Sequence, residues 1–175
     1  MRVIGGEFRS RRLKTVPGRA VRPTSDRLRE TLFNVLAGEV TGTVFVDAYA
    51  GSGAVGIEAL SRGAARAIFI ESDRQAAAVI RENLRVLDLE ARARVVARDA
   101  AAALSGLAGD IVFLDPPYRQ AAEYDRVLRL LGQSPPPLVI AEHDRRLDLQ
   151  PAYGSLTRVR VLRQADSTLS FYRPA

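Results

Sequence analysis

The sequence predicts an α/β fold: a mostly parallel β-sheet with helices on both faces, an antiparallel hairpin at its C-terminal end, and a short basic arm before it. Three observations carry that expectation. From Thr43 onward, short apolar runs alternate with helical stretches, which makes successive strands parallel through helical crossovers. A glycine-rich stretch, AGSGAVGIEAL (Ala50–Leu60), stands between the first apolar run and the helix after it. Two β-like runs, Thr157–Leu162 and Ser167–Tyr172, flank the turn residues Gln164-Ala165-Asp166.

Each element has its own warrant. Residues 1–23 mix Gly, Pro and Arg with short β-like pieces (Arg2-Val3-Ile4 and Leu13-Lys14-Thr15-Val16), which suggests a small hairpin or extended arm. After Pro23, Thr24 or Ser25 is placed to cap a helix carrying Leu28, Leu32, Phe33, Val35 and Leu36 at helical spacing, closed by Gly38 to Gly42. Val44–Asp47 is the first strand of the sheet, followed by the glycine loop and a helix to about Arg62. Ala67–Ile70 leads to a helix from Asp73 to about Leu87, and Arg94–Ala97 to a short Ala-rich helix. Ile111–Leu114 leads to a helix ending near Leu131, and Leu138–Ala141 is a fifth strand. The 175 residues therefore divide into an arm, 1–23, and one domain, 24–175.

Composition excludes several kinds of chemistry. Cysteine is absent, so disulfides, thiolate metal sites and a cysteine nucleophile are ruled out. The single histidine, His143, rules out a histidine-rich metal site and reads as a surface or structural residue rather than a base; no metal is expected. No apolar run is long enough to span a bilayer and no signal peptide is evident, so the cytoplasm is the expected compartment. The net charge of +6 is concentrated: Arg2, Arg9, Arg11, Arg12, Lys14, Arg19, Arg22, Arg27 and Arg29 face only Glu7, Asp26 and Glu30 within the first thirty residues, and the remainder is balanced. Such a run can be a solvated face, but a basic segment on a neutral body is also the footprint of a polyanion binder.

The glycine loop has the form Gly51-x-Gly53-x-x-Gly56. Alone it is a weak signal, equally a tight strand-to-helix turn. Glu71, twenty residues beyond Gly51 at the end of the second strand, stands where an acid hydrogen-bonds ribose hydroxyls. Asp47 ends the first strand four residues before Gly51. An acid there repels a pyrophosphate and attracts a cation, which favours S-adenosylmethionine, with its sulfonium and ammonium groups, over a dinucleotide. Asp99, ending the third strand, can accept from an adenine amine or cap the following helix.

The stretch FLDPPYRQ (Phe113–Gln120) supplies the other half of the reaction. An exocyclic amine on a base is a poor nucleophile because its lone pair is delocalised into the ring. Asp115 can accept one N–H, and a carbonyl of the Pro116-Pro117 pair, left free where proline offers no N–H, can accept the other. Tyr118 can stack on the base and hold it in line.

DPPY together with the glycine loop resembles class I, S-adenosylmethionine-dependent amino-methyltransferases. The segments RVIGGEFRSRRL (Arg2–Leu13), RPTSDRLRETLFN (Arg22–Asn34), AGSGAVGIEALSRGA (Ala50–Ala64) and IESDR (Ile70–Arg74), in this order, are similar to the bacterial 16S rRNA guanine-N2-methyltransferase family of the RsmD type. The resemblance implies a Rossmann-like sheet of seven strands and methylation of guanine N2 in 16S rRNA, of the guanine(966) type. It implies Ser72 beside Glu71 in the cofactor site, a small-subunit ribosomal particle as partner, and a monomer. The expected RNA contacts are Arg9, Arg11, Arg12, Lys14, Arg22, Arg27 and Arg29. Ser10 departs from the glycine expected in the arm. Rival readings are a DNA adenine-N6 or cytosine-N4 methyltransferase, for which a target-recognition domain is missing, an NAD(P)-dependent oxidoreductase, and a catalytically silent RNA-binding module.

Overall fold

Helix α1 (Asp26–Val35) begins at a side-chain cap: Ser25 Oγ accepts the Leu28 N–H at 3.1 Å. The computed structural model describes residues 1–18, 24–117 and 121–175; the expectations for Arg22 and Tyr118 lie outside the described residues. Four strand–helix units follow: β1 (Val44–Asp47) and α2 (Ala54–Ser61), β2 (Arg66–Ile70) and α3 (Arg74–Val86), β3 (Ala93–Val96) and α4 (Ala100–Leu104), and β4 (Ile111–Leu114) and α5 (Ala121–Leu131). The chain ends with β5 (Leu138–Asp144), β6 (Ala152–Tyr153), β7 (Leu156–Gln164) and β8 (Ser167–Pro174).

The strands form one sheet in the order β3-β2-β1-β4-β5-β8-β7-β6. The first five are parallel and the last three join antiparallel. The sheet thus has eight described strands rather than seven; the addition is β6, two residues on the edge, too short to leave a periodic signal. Strand β5 also runs three residues past its expected end, because Glu142, His143 and Asp144 pair with Leu169, Thr168 and Ser167 of β8.

Period-2 alternation divides the core between the two faces of the sheet. In β4, Val112 and Leu114 join Val46, Leu128, Val139 and Tyr172 on one face. Ile111 and Phe113 join Leu32, Phe33, Phe45 and Phe171 on the other. Both faces of β4 are buried, which is why its sequence is continuously apolar.

The arm is a hairpin fastened to the body. Arg2 and Arg12 form an antiparallel bridge, and Val3 and Leu13 are buried against Ile57, Leu60, Phe69 and Ile80. The Glu58 carboxylate, fully buried on α2, accepts the N–H groups of Ile4 (2.9 Å) and Gly5 (2.8 Å) and pairs with Arg62 (2.8 Å). Gly6 has φ +77°, and a Cβ there would lie 1.9 Å from the Ser61 carbonyl oxygen, so only glycine lets the arm lie this close to α2. Ser10 occupies the left-handed region (φ 69°), which accounts for the glycine expected at that position.

Candidate active site

In this strand order the chain turns outward in both directions from β1 and β4. The carboxyl ends of those strands splay their connections apart and leave a crevice, where ligands of such sheets bind. A cleft of about 650 Å³ opens there. Strands β1, β2, β4 and β5 end in or near an acid, and Asp47, Glu71, Asp115 and Glu142 all line this one cleft.

Asp47 is buried (1% exposed), and its Oδ2 accepts the Gly56 N–H at 3.0 Å across the glycine loop. Burial above all, with the Glu71 charge adding to it, raises its carboxyl to about 7, against the opposing pull of the Gly56 N–H. Glu71 holds the loop from the other side: Oε2 accepts from the Gly51 N–H (2.9 Å) and Oε1 from the Asp73 N–H (2.8 Å). The three glycines have separate tasks. Gly51 (φ +57°) borders the cleft with open space where a Cβ would point, so a ligand can come against bare backbone. Gly53, expected to bind cofactor, does not line the cleft; it is the left-handed residue at the start of α2, packed on Ile80 and Phe69. At Gly56 a Cβ would lie 2.3 Å from the Phe69 ring, so this glycine sets the helix-to-strand spacing.

Asp115, Pro116 and Pro117 follow β4 into the cleft. Thr24, just before α1, bridges two of the cleft acids: its hydroxyl donates to Glu142 Oε2 at 2.9 Å and stands 3.4 Å from Asp115 Oδ2. Burial first, then the charges of Glu142 and Asp47, hold the Asp115 carboxyl well above the usual carboxylate range. The sequence offers Thr24 only as a helix cap and gives no sign of Glu142, so neither is expected in the site. Glu142 stands in an antiparallel extension that only pairing with β8 creates, 118 residues from Thr24.

Ser72 and Asp99 line the cleft as well. Asp99 takes the capping role, accepting from the Ala102 N–H (3.0 Å) and from Arg126 (2.8 Å). Arg126 also grips Glu123, whose Oε1 accepts from the Tyr49 hydroxyl at 2.6 Å. This network ties the cofactor-side loop to α5, and no sequence motif marks it. His143 is buried rather than on the surface, with Nε2 2.9 Å from Ser170 Oγ and Nδ1 3.0 Å from the Asp144 carbonyl; burial lowers its pKa.

Of the basic residues, Arg9, Arg11, Arg12 and Arg27 are exposed, as is Lys14, which pairs with Glu82. Met1, Thr15 and Val16 border the cleft, so the arm adjoins it. Arg29 does not belong with them. It is fully buried and donates to the Arg2 carbonyl (2.7 Å) and Asp26 (2.9 Å), so it joins α1 to the arm and is out of reach of a phosphate. Its place three, four and seven residues before Leu32, Phe33 and Leu36 puts it on the apolar face, a signal the charge count overlooks.

The donor set fits S-adenosylmethionine. A buried carboxylate at Asp47 suits a cation, Glu71 suits a diol, and Gly51 leaves room beside them. The fold and this site are those of a class I, S-adenosylmethionine-dependent methyltransferase. The family described as Conserved hypothetical protein 95 matches residues 1–173. The Escherichia coli protein named ribosomal RNA small subunit methyltransferase D is 40% identical over 171 residues, spanning 94% of this chain and 86% of its own. The YlbH protein of Bacillus subtilis is 37% identical over 171 residues, 91% of each chain. Among solved structures, the yhhF protein of Escherichia coli superposes with a TM-score of 0.87 at 35% identity, over 99% of this chain and 97% of that one. The chain belongs to this family, that of ribosomal RNA small subunit methyltransferase D.

Proposed function

We propose that the protein transfers a methyl group from S-adenosylmethionine to the exocyclic N2 of a guanine in 16S rRNA, presented in the cytoplasm by a small-subunit particle. One observation carries the reading: the DPP turn after β4 enters the same cleft as the acids of β1 and β2, so a planar amine and a cationic cofactor can meet there. The cofactor supplies an electrophilic methyl group on a cationic sulfur. Asp47 holds the cationic end, Glu71 the ribose, Ser72 and Asp99 the neighbouring edge. Asp115 accepts one N–H of the guanine amine and a proline carbonyl the other, directing the nitrogen lone pair at the methyl group. Tyr118 stacks on the base. Exposed Arg9, Arg11, Arg12, Lys14 and Arg27, with Arg22, hold the surrounding phosphates, since one base offers little surface for selective binding. The protein acts as a monomer.

The relative named for small-subunit rRNA supports RNA over DNA as acceptor. A Thermus thermophilus 16S rRNA N2 methyltransferase, solved with AdoMet and guanosine, shares the fold at a TM-score of 0.76 and 20% identity, over all of this chain and 49% of its own. Labelled methyl transfer to 16S particles, free rRNA and duplex DNA tests the substrate; preferential labelling of duplex DNA would overturn it. Asp115→Ala is expected to abolish transfer with cofactor affinity nearly unchanged, and Tyr118→Phe to retain activity. Near-normal kcat for Asp115→Ala would remove Asp115 from the reaction.

A further inference from the structure

Methylating an amine leaves a proton to dispose of. The attack forms an N–C bond, breaks the S–C bond and leaves a cationic secondary amine; neutral product forms when an N–H bond then breaks. That proton needs an acceptor within reach of the amine. Asp115 is near enough to take it, but it must be an anion again before the next amine arrives.

We propose that Glu142 is the terminal acceptor of this proton, reached from Asp115 through the hydroxyl of Thr24. The hydroxyl of Thr24 lies between the two carboxylates and closer to Glu142. Thr24 Oγ1 donates its hydrogen to Glu142 Oε2 at 2.9 Å, and its oxygen lies 3.4 Å from Asp115 Oδ2. When Asp115 becomes protonated, its O–H can donate to Thr24 Oγ1 as Thr24 passes its own hydrogen to Glu142. One O–H bond forms at each step as another breaks, Thr24 ends as it began, and Asp115 is restored. Glu142 Oε1 is steadied by the Ser167 hydroxyl at 3.4 Å, and the Tyr124 hydroxyl donates to the Glu142 carbonyl at 2.6 Å, so the side chain is held from β8 and its backbone from α5. Glu142 is 8% exposed and lines the cleft. Among the described residues, the titratable groups that share this part of the cleft with it include Asp47, Asp115, Tyr124, His143, Asp144 and Asp166.

Electrostatics supports the same assignment. Methyl transfer removes the sulfonium charge from a cleft lined by buried acids, and a proton gained by those acids offsets the loss. Burial first, and then the Glu142 charge, raises the Asp115 carboxyl, so Asp115 takes up a proton more readily than an isolated acid would. Glu142 acts through Thr24 and Asp115, which makes it a positioning and proton-accepting residue rather than one that touches the base.

The inference rests on the methyltransferase reading, and two measurements separate the fates of the two. In single-turnover methylation across pH, Glu142→Gln is expected to lower the plateau rate about tenfold or more. Its acid limb should move to lower pH, because Asp115 loses a like charge. Thr24→Val should lower the rate similarly and Thr24→Ser should restore it. Separately, calorimetry in buffers of different ionisation enthalpy counts protons taken up with S-adenosylmethionine and with S-adenosylhomocysteine. Wild type should take up more with the uncharged thioether, and Glu142→Gln should lose much of that excess, the remainder being Asp47. A calorimetric excess lost in Glu142→Gln, with no wild-type labelling of rRNA, would sink the substrate reading and support this one. Wild-type rates, pH profile and proton uptake in Glu142→Gln would overturn it.

Discussion

Asp47 shows how a single residue sets binding against stability. Its carboxyl is raised from 3.8 to about 7 because β1 carries it into the interior. The sign of the consequence follows from proton counts. Between about pH 4 and 7 the folded protein keeps a proton that the unfolded chain has released, so stability falls as pH rises through that window. Above it, the ionised folded form carries the full cost. Asp47→Asn keeps an oxygen for the Gly56 N–H and has no charge to desolvate. It is expected to stabilise the ligand-free protein on the order of 4 kcal/mol at pH 8, with the gain vanishing towards pH 4. Urea denaturation of both proteins at the two pH values checks this, and equal stability at pH 8 would contradict it. The same variant should bind S-adenosylmethionine poorly, since the charge that is costly without ligand is the one that attracts the cation.

At the scale of elements, the parallel units were legible because each carries a local signal. Strand β4 falls at the expected residues, and α3 is capped by Asp73, whose Oδ1 accepts the Ala76 N–H at 2.8 Å. What the sequence hid is decided by partners distant in the chain. The polar end of β5 reads as a loop until β8 pairs with it, and with it went Glu142. Gly53 sits in a recognisable motif, yet its task is packing, which the motif's spacing does not distinguish from ligand contact. Arg29 entered the charge count although its helix position places it on the apolar face. Helix α2 also shows what fastens the arm: the Glu58 carboxylate meets two backbone N–H groups and Arg62. Glu58→Ala removes a buried acceptor from all three and is expected to destabilise by roughly 3 kcal/mol or more. Limited proteolysis should then cut within residues 1–14 before the body; an arm as resistant as in wild type would show that Val3 and Leu13 suffice to hold it.

For the molecule as a whole, charge is segregated from chemistry. Four acidic strand ends meet in the cleft, and most of the positive excess is carried on a docked hairpin beside it. Neutralising Arg9, Arg11, Arg12 and Lys14 should weaken RNA binding across sequences and flatten its salt dependence, by a slope of roughly 0.7 for each phosphate of single-stranded RNA that is no longer neutralised. Lys14 should contribute least, because Glu82 already pairs with it. Cofactor affinity should hold, since Asp47 and Glu71 belong to the sheet. Parallel plots of log affinity against log salt for wild type and variant would show that the RNA surface is elsewhere.

The position of β8 has a consequence for biosynthesis. This strand is last in the chain but lies between β5 and β7 in the sheet, where it completes the stretch of β5 that holds Glu142. While the chain is being made, β5 has no neighbour on that side, and its apolar run Leu138–Ala141 stays an open edge until residues 167–174 emerge. The nascent protein therefore cannot assemble its acid cluster ahead of time. Catalytic competence waits on residues 167–174, and the interval before they emerge is when the open edge of β5 is most exposed to mispairing.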